Sequence, residues 1–285
     1  MGVKVLTDST SYLSEALRQE LDIRRVSLQL AFADESMREV DIDNAHFYPL
    51  MEAKGIPTSS LPATGEMYQE MLRVVEAGDD LCCVFISSAM SGTLAGAQSV
   101  REMVLEKCPE ARIAIVDSKA NCMQLGYAAL AAARATKTGG TLEQVVQAAE
   151  DNIRKSRFLF IPKTLEHLQK GGRIGKASAL LGNLLQIIPV LTIDNGVVAV
   201  MMKVRTRKNA VAAMVDQLLK DIEQHGLGEV VIHHINCLPD AQELAAMVME
   251  KLKAKVDIVD IGPVVGMHVG PGAIGIAYYT REAMR

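Results

Sequence analysis

Several kinds of residue are scarce or missing, and each absence narrows the class of protein. The chain of 285 residues has no tryptophan, and aromatic residues make up only 4% of it. It has no run of about 18 apolar residues, so a transmembrane helix is not expected. The N-terminal sequence MGVKVLTDST lacks the basic start and the long apolar stretch of a secretory signal. These absences predict a cytoplasmic globular protein.

Cysteine and net charge exclude further classes. The five cysteines are odd in number and form no CxxC pair, which is typical of a protein that stays in a reducing compartment. The formal net charge of −4 gives no general attraction to nucleic acid or to acidic membranes. We therefore expect no nucleic-acid partner.

The familiar catalytic motifs are also missing. GPGAIG has the letters of a dinucleotide-binding loop, but a strand-like IGIAYYT follows where a helix is required. GGRIGK is too short for a phosphate-binding P-loop, and Ala177 stands where a magnesium-binding hydroxyl would be. There is no GxSxG or HExxH motif, and the adjacent His233 and His234 would point to opposite faces of a strand. We expect no catalytic residue, no metal and no cofactor.

What the sequence does contain is an alternation of strands and helices. VKVLTDS, DLCCVFISS and ARIAIVDSK are predicted strands, each followed by a helical pattern, which indicates a parallel sheet covered on both faces. The second half adds a hairpin turning at Asn195 and Gly196, two further helices, the strand EVVIHHINC and a final strand pair containing VVGMHVGPGAIGIAYY. We predict an α/β fold with two domains, a parallel-sheet Rossmann-like domain at 1–156 and a mixed-sheet α+β domain at 157–285.

Polar residues collect in three segments, two of them at predicted strand ends or turns. IPTSSLPATGE and SSAMSGT are rich in hydroxyl groups, and the third segment places His268 among glycines. Taken singly, the hydroxyls are typical of helix caps and turns. Taken together, hydroxyls and an imidazole are suited to holding a carboxylate with neutral donors, as a fatty acid would require. Ligands of parallel sheets gather beyond the carboxyl ends of the strands, where such segments lie.

The order of these motifs resembles the DegV family, the fatty-acid-binding subunits of bacterial fatty acid kinases. The resemblance covers essentially the whole chain. In the first half it is carried by VLTDSTSYL, IPTSSLPATGEMYQ, FISSAMSGTLAGAQ and VDSKANCMQLGY. In the second half it is carried by KTLEHLQKGGRIG, KVRTRKNA and GPVVGMHVGPGAIGIAYY.

The resemblance implies one long-chain fatty acid in a slot between the two domains. The family motif usually reads Thr-Ser-Gln-Pro-Ser where this chain has SSLPA at 59–63. Ser59 is then the hydroxyl that meets the carboxylate, and Thr58 takes that place if the loop is shifted by one residue. The SGT motif supplies Ser91, and the C-terminal glycine motif supplies His268. The predicted ligand-binding set is completed by Gly92, Thr93 and Gly270.

The resemblance also implies a partner, the catalytic subunit of a fatty acid kinase. That subunit would bring ATP and magnesium, and the acyl phosphate would enter phospholipid metabolism as part of the incorporation of exogenous fatty acids. Arg173 and Arg205 are the predicted docking residues, although basic residues of this kind also commonly form a solvated face. Transient contact with a membrane is compatible with such a role.

Two other functions remain open at this point. One is an autonomous esterase or phosphotransferase that uses Ser91 with His268. The other is a lipid sensor or store that has no kinase partner. The missing P-loop and nucleophile motif argue against the first, and the basic segments weigh lightly against the second.

Overall fold

The structure is a computed structural model that describes residues 2–181 and 187–284. It divides into two compact units. Unit 1 comprises the residues up to Ile42 together with Pro57–Arg154, and unit 2 comprises Asp43–Ile56 together with the residues from Lys155 onward. The sequence-based boundary lies between residues 156 and 157, and it assigned residues 43–56 to the first domain. In the structure that segment belongs to unit 2.

Unit 1 is built on a four-stranded parallel sheet. Its strands are β1 (Val3–Asp8), β2 (Ile23–Val26), β6 (Asp80–Phe85) and β7 (Ile113–Asp117), in the order β2-β1-β6-β7. All neighbouring strands run parallel. Every residue of β6 is buried, as a continuous apolar run predicts for a central strand covered on both faces. The predicted parallel sheet is confirmed.

Helices cover this sheet. They are α1 (Glu15–Glu20), α3 (Thr64–Glu76), α4 (Thr93–Lys107), α5 (Cys122–Lys137) and α6 (Leu142–Lys155). Met67 and Met71 of α3 join Leu6 and Phe85 of the sheet in one buried apolar cluster. Helix α5 approaches the backbone closely at Gly126, where a Cβ atom would lie 2.7 Å from the main-chain oxygen of Ser11. Glycine at this position therefore permits α5 to pack closely against the turn that follows β1.

Unit 1 also holds a small antiparallel sheet that the sequence did not predict. Its strands are β3 (Gln29–Ala31), β4 (Ser36–Arg38) and β5 (Thr58–Ser60), in the order β4-β3-β5. Each strand has three residues, which is too short for an alternating apolar pattern to emerge. The hydroxyl-rich segment TSS thus forms an edge strand.

The segment that leaves unit 1 forms helix α2 (Asn44–Lys54). Asp43 caps it by accepting a hydrogen bond from the backbone of His46. Within unit 2, the Asn44 side chain donates to the main-chain oxygen of Ile261 at 2.7 Å. The Tyr48 hydroxyl occupies the space above Gly266, where a Cβ atom would lie only 2.2 Å away. These contacts with distant parts of the chain assign α2 to unit 2.

Unit 2 has a six-stranded mixed sheet in the order β10-β9-β8-β13-β11-β12. The strands are β8 (Ser156–Ile161), β9 (Ile188–Asp194), β10 (Val197–Val204), β11 (Leu227–His234), β12 (Asp257–Asp260) and β13 (Ile274–Thr280). The β11–β12 pair is parallel and the other neighbours are antiparallel. Further helices are α7 (Glu166–Lys170), α8 (Arg207–His225), α9 (Leu238–Leu252) and α10 (Pro263–Val269). The predicted mixed-sheet domain is confirmed.

The hairpin of β9 and β10 turns where the sequence predicted. Asn195 and Gly196 have φ values of 48° and 83°, the left-handed conformation that a tight two-residue turn requires. Asp194 pairs with Val197 on either side of it. The Asn-Gly signal is therefore confirmed.

The prediction of a final strand pair is correct for one strand and wrong for the other. Ile274–Thr280 is strand β13, but Pro263–Val269, with His268 near its end, is helix α10. Proline suits the first turn of a helix because its missing N–H would have no partner there. Gly270 ends the helix with a φ of 89°. The apolar residues of α10 are buried nearly all round, so the helix shows no polar face from which its period could be recognised.

Candidate ligand-binding site

The SSAMSGT segment links β6 to α4 and positions Ser91. The Ser91 hydroxyl accepts a hydrogen bond from the Thr93 backbone N–H at 3.2 Å and lies 2.9 Å from the Thr93 hydroxyl. Ser91 is half-buried, and Thr93 is fully buried. A serine hydroxyl has two lone pairs and one hydrogen. Either hydroxyl of this pair can be the donor. With Thr93 as the donor, both lone pairs of Ser91 are occupied, and the Ser91 hydrogen is available to an acceptor such as a carboxylate.

The second hydroxyl segment is strand β5. Thr58 pairs with Ala31 and Ser59 with Leu30, so their side chains alternate across the small sheet. Thr58 is exposed, and its hydroxyl donates to the main-chain oxygen of Ala31 at 3.3 Å. That contact uses the only hydrogen of the Thr58 hydroxyl, whereas Ser59, on the other face of the strand, is half-buried.

Leu61 brings these two segments of unit 1 together. A Cβ atom at Gly92 would lie 3.7 Å from Leu61 Cδ2, and one at Gly96 would lie 2.7 Å from Leu61 Cδ1. The leucine side chain therefore rests on the first turn of α4. This apolar contact holds the β5 segment beside the SGT turn.

His268 lies on α10 in unit 2. Burial, with a smaller contribution from the nearby Arg173 cation, lowers its pKa to about 4. Both effects disfavour the imidazolium form. The His268 side chain is therefore a neutral imidazole at neutral pH, able to donate one hydrogen bond.

A short segment of unit 2, residues 167–173, lies against one side of this imidazole. We call it the α7 clamp. A Cβ atom at Gly171 would lie 2.2 Å from His268 Nδ1, and the Arg173 guanidinium donates to the Gly171 oxygen at 2.7 Å. His167 Nδ1 lies 3.1 Å from the main-chain oxygen of Met267, the residue before His268. His167 and Gly171 were not among the predicted site residues.

Gly270 belongs to the same cluster. A Cβ atom at Gly270 would lie 2.6 Å from the His167 ring, and its positive φ also favours glycine. The structure thus brings Gly270, His268 and Arg173 together in unit 2. The only sequence signal for the α7 clamp is the pair Gly171 and Gly172, which stands four residues after His167.

Arg205 occupies a different position. It is exposed in the turn between β10 and α8, where Thr206 caps the helix. Its neighbour Arg207 is held by the main-chain oxygen of Gly272 at 2.9 Å and by Asp240 at 3.2 Å. Lys176 pairs with Asp194 at 2.6 Å. Arg207 and Lys176 are therefore part of local ion pairs in unit 2, whereas Arg205 lies exposed in a turn.

Within residues 2–181 and 187–284, no three histidine, cysteine, aspartate or glutamate side chains gather as a metal site requires. His233 and His234 diverge as strand neighbours do: His233 Nδ1 lies 3.0 Å from the Val259 oxygen, and His234 Nδ1 lies 3.1 Å from Asp260. In the same part of the chain, no helix is long and apolar enough to cross a membrane.

Comparison with known proteins gives matches along the whole chain. The model of the family described as "Uncharacterised protein, DegV family" matches residues 2–281. A DegV domain-containing protein of Clostridium acetobutylicum is 53% identical over 285 residues, 100% of both chains. The crystal structure of DegV from Bacillus subtilis, a fatty acid binding protein, is 31% identical with a TM-score of 0.88, covering 98% of this chain and 99% of that one. A stearic acid-binding protein from Eubacterium ventriosum is 26% identical with a TM-score of 0.89, covering 98% of both chains.

Proposed function

Since the chain belongs to the DegV family, we propose that it binds one long-chain fatty acid per molecule. The observation that carries this proposal is its likeness, over 98% of the chain, to solved proteins that bind fatty acids. Burial of each methylene contributes about 0.8 kcal/mol, so a long acyl chain contributes roughly 10 kcal/mol before the costs of ordering. The acyl chain therefore provides most of the affinity.

The head group then determines orientation. We propose that the carboxylate accepts hydrogen bonds from the Ser59 and Ser91 hydroxyls and from His268, with Thr58, Gly92, Thr93 and Gly270 shaping the surrounding backbone. Hydrogen bonds to a charged acceptor are stronger than those between neutral groups. Neutral donors also avoid the cost of burying a cation that would be uncompensated when the site is empty.

This assignment is tested by Ser91→Ala and His268→Ala. Each change leaves one carboxylate oxygen with one donor fewer, so we expect each to weaken fatty-acid binding by about 1–3 kcal/mol. Titration calorimetry with delipidated protein measures the loss, and Ser99→Ala, which alters an exposed hydroxyl within α4, is the matched control. Wild-type affinity in both site variants would contradict the head-group assignment.

We further propose that the protein acts as a carrier for a separate fatty acid kinase rather than as an enzyme. In that reaction a carboxylate oxygen forms a bond to the γ-phosphorus of ATP, the bond to the bridging oxygen breaks, and ADP leaves. ATP and magnesium bind the kinase, and the acyl phosphate remains on this protein. Arg173 supports the proposal because it is an exposed cation close to His268.

The carrier proposal is tested by comparing binding with turnover. Arg205→Ala is expected to lower acyl-phosphate formation with a kinase subunit while fatty-acid affinity changes little, because exposed charges mainly affect association. Arg173→Ala is expected to lower turnover more than affinity, since its guanidinium also donates to the Gly171 oxygen beside His268. Acyl-phosphate formation or ester hydrolysis by this chain alone would favour an autonomous enzyme. Equal loss of binding and turnover would place both arginines at the fatty acid instead.

A further inference from the structure

Gly171 lies against the imidazole of His268, and its lack of a side chain has no other explanation in its backbone. Its φ and ψ are −77° and −5°, which any residue adopts. A Cβ atom there would lie 2.2 Å from His268 Nδ1, and 3.1 Å from both His268 Cε1 and the main-chain oxygen of His167, so the ring makes by far the closest contact. An alanine methyl cannot occupy this space unless the ring moves. The glycine is therefore required by the histidine and not by the turn.

The adjacent Gly172 is the opposite case. It has a φ of 68°, and a Cβ atom there would have open space around it. Position 172 favours glycine because of its backbone conformation. Position 171 favours glycine because a neighbouring side chain occupies the space of a Cβ atom. The two positions therefore separate backbone strain from contact with the imidazole.

The contact also distinguishes the two ring nitrogens. Nδ1 of His268 is buried, and Nδ1 and Cε1 are the ring atoms that approach Gly171 most closely, so Nε2 is the ring nitrogen farther from Gly171. The clamp fixes the backbone as well, because the His167 ring lies 3.1 Å from the Met267 oxygen. Which nitrogen of a histidine meets a ligand is commonly determined by what the other nitrogen faces.

We propose that Gly171 is a positioning residue, which lets the His268 ring lie with Nδ1 against the α7 clamp and Nε2 presented to the fatty-acid carboxylate. The proposal rests on the proposed function for its ligand and on the geometry of unit 2 for its mechanism. His167 has a supporting role, since it holds the main chain that carries the imidazole.

The test combines two readouts on delipidated protein. Oleate affinity is measured for wild type, Gly171→Ala, Gly172→Ala and His268→Ala, and for the double variant Gly171→Ala/His268→Ala. The ring nitrogens of His268 are observed by NMR in the ligand-free proteins, which tests the geometry without any fatty acid. Thermal unfolding shows whether each variant is folded.

We expect Gly171→Ala to weaken oleate binding about tenfold and to shift the His268 nitrogen signals. Gly172→Ala, also within the α7 clamp, reports the effect of backbone strain without a clash against the imidazole. It is expected to lower stability and to change oleate affinity and the His268 signals less than Gly171→Ala does. With His268 already replaced by alanine, Gly171→Ala should change affinity less than about twofold, because the clash has been removed. His167→Asn keeps a side-chain amide near the Met267 oxygen, and it should bind oleate better than His167→Ala.

The outcomes separate this proposal from the proposed function. Unchanged His268 signals in folded Gly171→Ala would overturn the positioning role whatever the ligand is. An equal loss of affinity from Gly171→Ala with and without His268 would also overturn it, since the effect would then not pass through the imidazole. If wild type binds no oleate but Gly171→Ala shifts the His268 signals, the proposed ligand is wrong, while the contact between Gly171 and the His268 ring is supported.

Discussion

His233 is expected to make the stability of unit 2 depend on pH. Its side chain is fully buried, and burial lowers its pKa to about 4. The ring packs edge-on against Phe158, beside His234, and its Nδ1 faces the Val259 oxygen. An unfolded histidine titrates at about 6.5. Between these two values the unfolded chain binds more protons than the folded one, so the free energy of unfolding falls as the pH falls.

The size of the effect follows from the two pKa values. The contribution of His233 is fully present above about pH 6.5 and is lost progressively toward about pH 4. From about pH 8 to about pH 5, the expected loss of unfolding free energy from this one residue is about 2 kcal/mol. Urea unfolding of delipidated protein across this range measures it.

A substitution at His233 separates its contribution to the pH dependence of unfolding from that of the other titrating groups. His233→Gln is expected to be less stable at pH 8 but to lose about 2 kcal/mol less than wild type on acidification. Ile232→Val, in the same strand and equally buried, should lower stability by about 1 kcal/mol at every pH, since it changes no proton binding. If His233→Gln has the same pH dependence as wild type, the reasoning from the buried neutral imidazole is refuted.

Two predictions concern packing and buried polar contacts. Gly266→Ala should destabilise the protein by about 1–3 kcal/mol because its methyl group meets the Tyr48 hydroxyl. In urea unfolding, the double variant Gly266→Ala/Tyr48→Phe should lose less stability than the sum of the losses of the two single variants. Asp8 accepts hydrogen bonds from the backbones of Ile86 and Thr10 at 2.7 and 2.9 Å. Asp8→Ala should therefore cost about 3 kcal/mol and Asp8→Asn less, and equal losses in the same assay would contradict this account of the carboxylate.

Local patterns were sufficient where neighbours in sequence determine the structure. The buried strand β6 follows from a continuous apolar run, and the β9–β10 hairpin follows from Asn195 and Gly196, whose left-handed conformations are a local property. The hydroxyl-rich segments were predicted as ligand-binding candidates because their residue types are visible without any structure. The roles of Ser59, Ser91 and His268 stay predictions.

Long-range contacts explain what the sequence did not reveal. Helix α2 belongs to unit 2 because Asn44 meets Ile261, 217 positions along the chain. Helix α10 is buried nearly all round, so its β-branched residues favoured a strand. Gly171 contacts His268, and His167 contacts the oxygen of Met267, 100 residues away. The sequence around a glycine does not show which of two reasons explains it. The glycine can leave space for the ring of a distant residue, or it can allow the backbone conformation of a turn.

The central claim is that this chain binds a fatty acid by its carboxylate, and native mass spectrometry of the purified protein tests it most directly. We predict a bound mass of one long-chain fatty acid per chain, which oleate replaces and methyl oleate replaces poorly, because an ester is a weaker acceptor for the hydroxyl and imidazole donors. Protein that carries no acyl ligand and takes up no oleate after delipidation would contradict the claim.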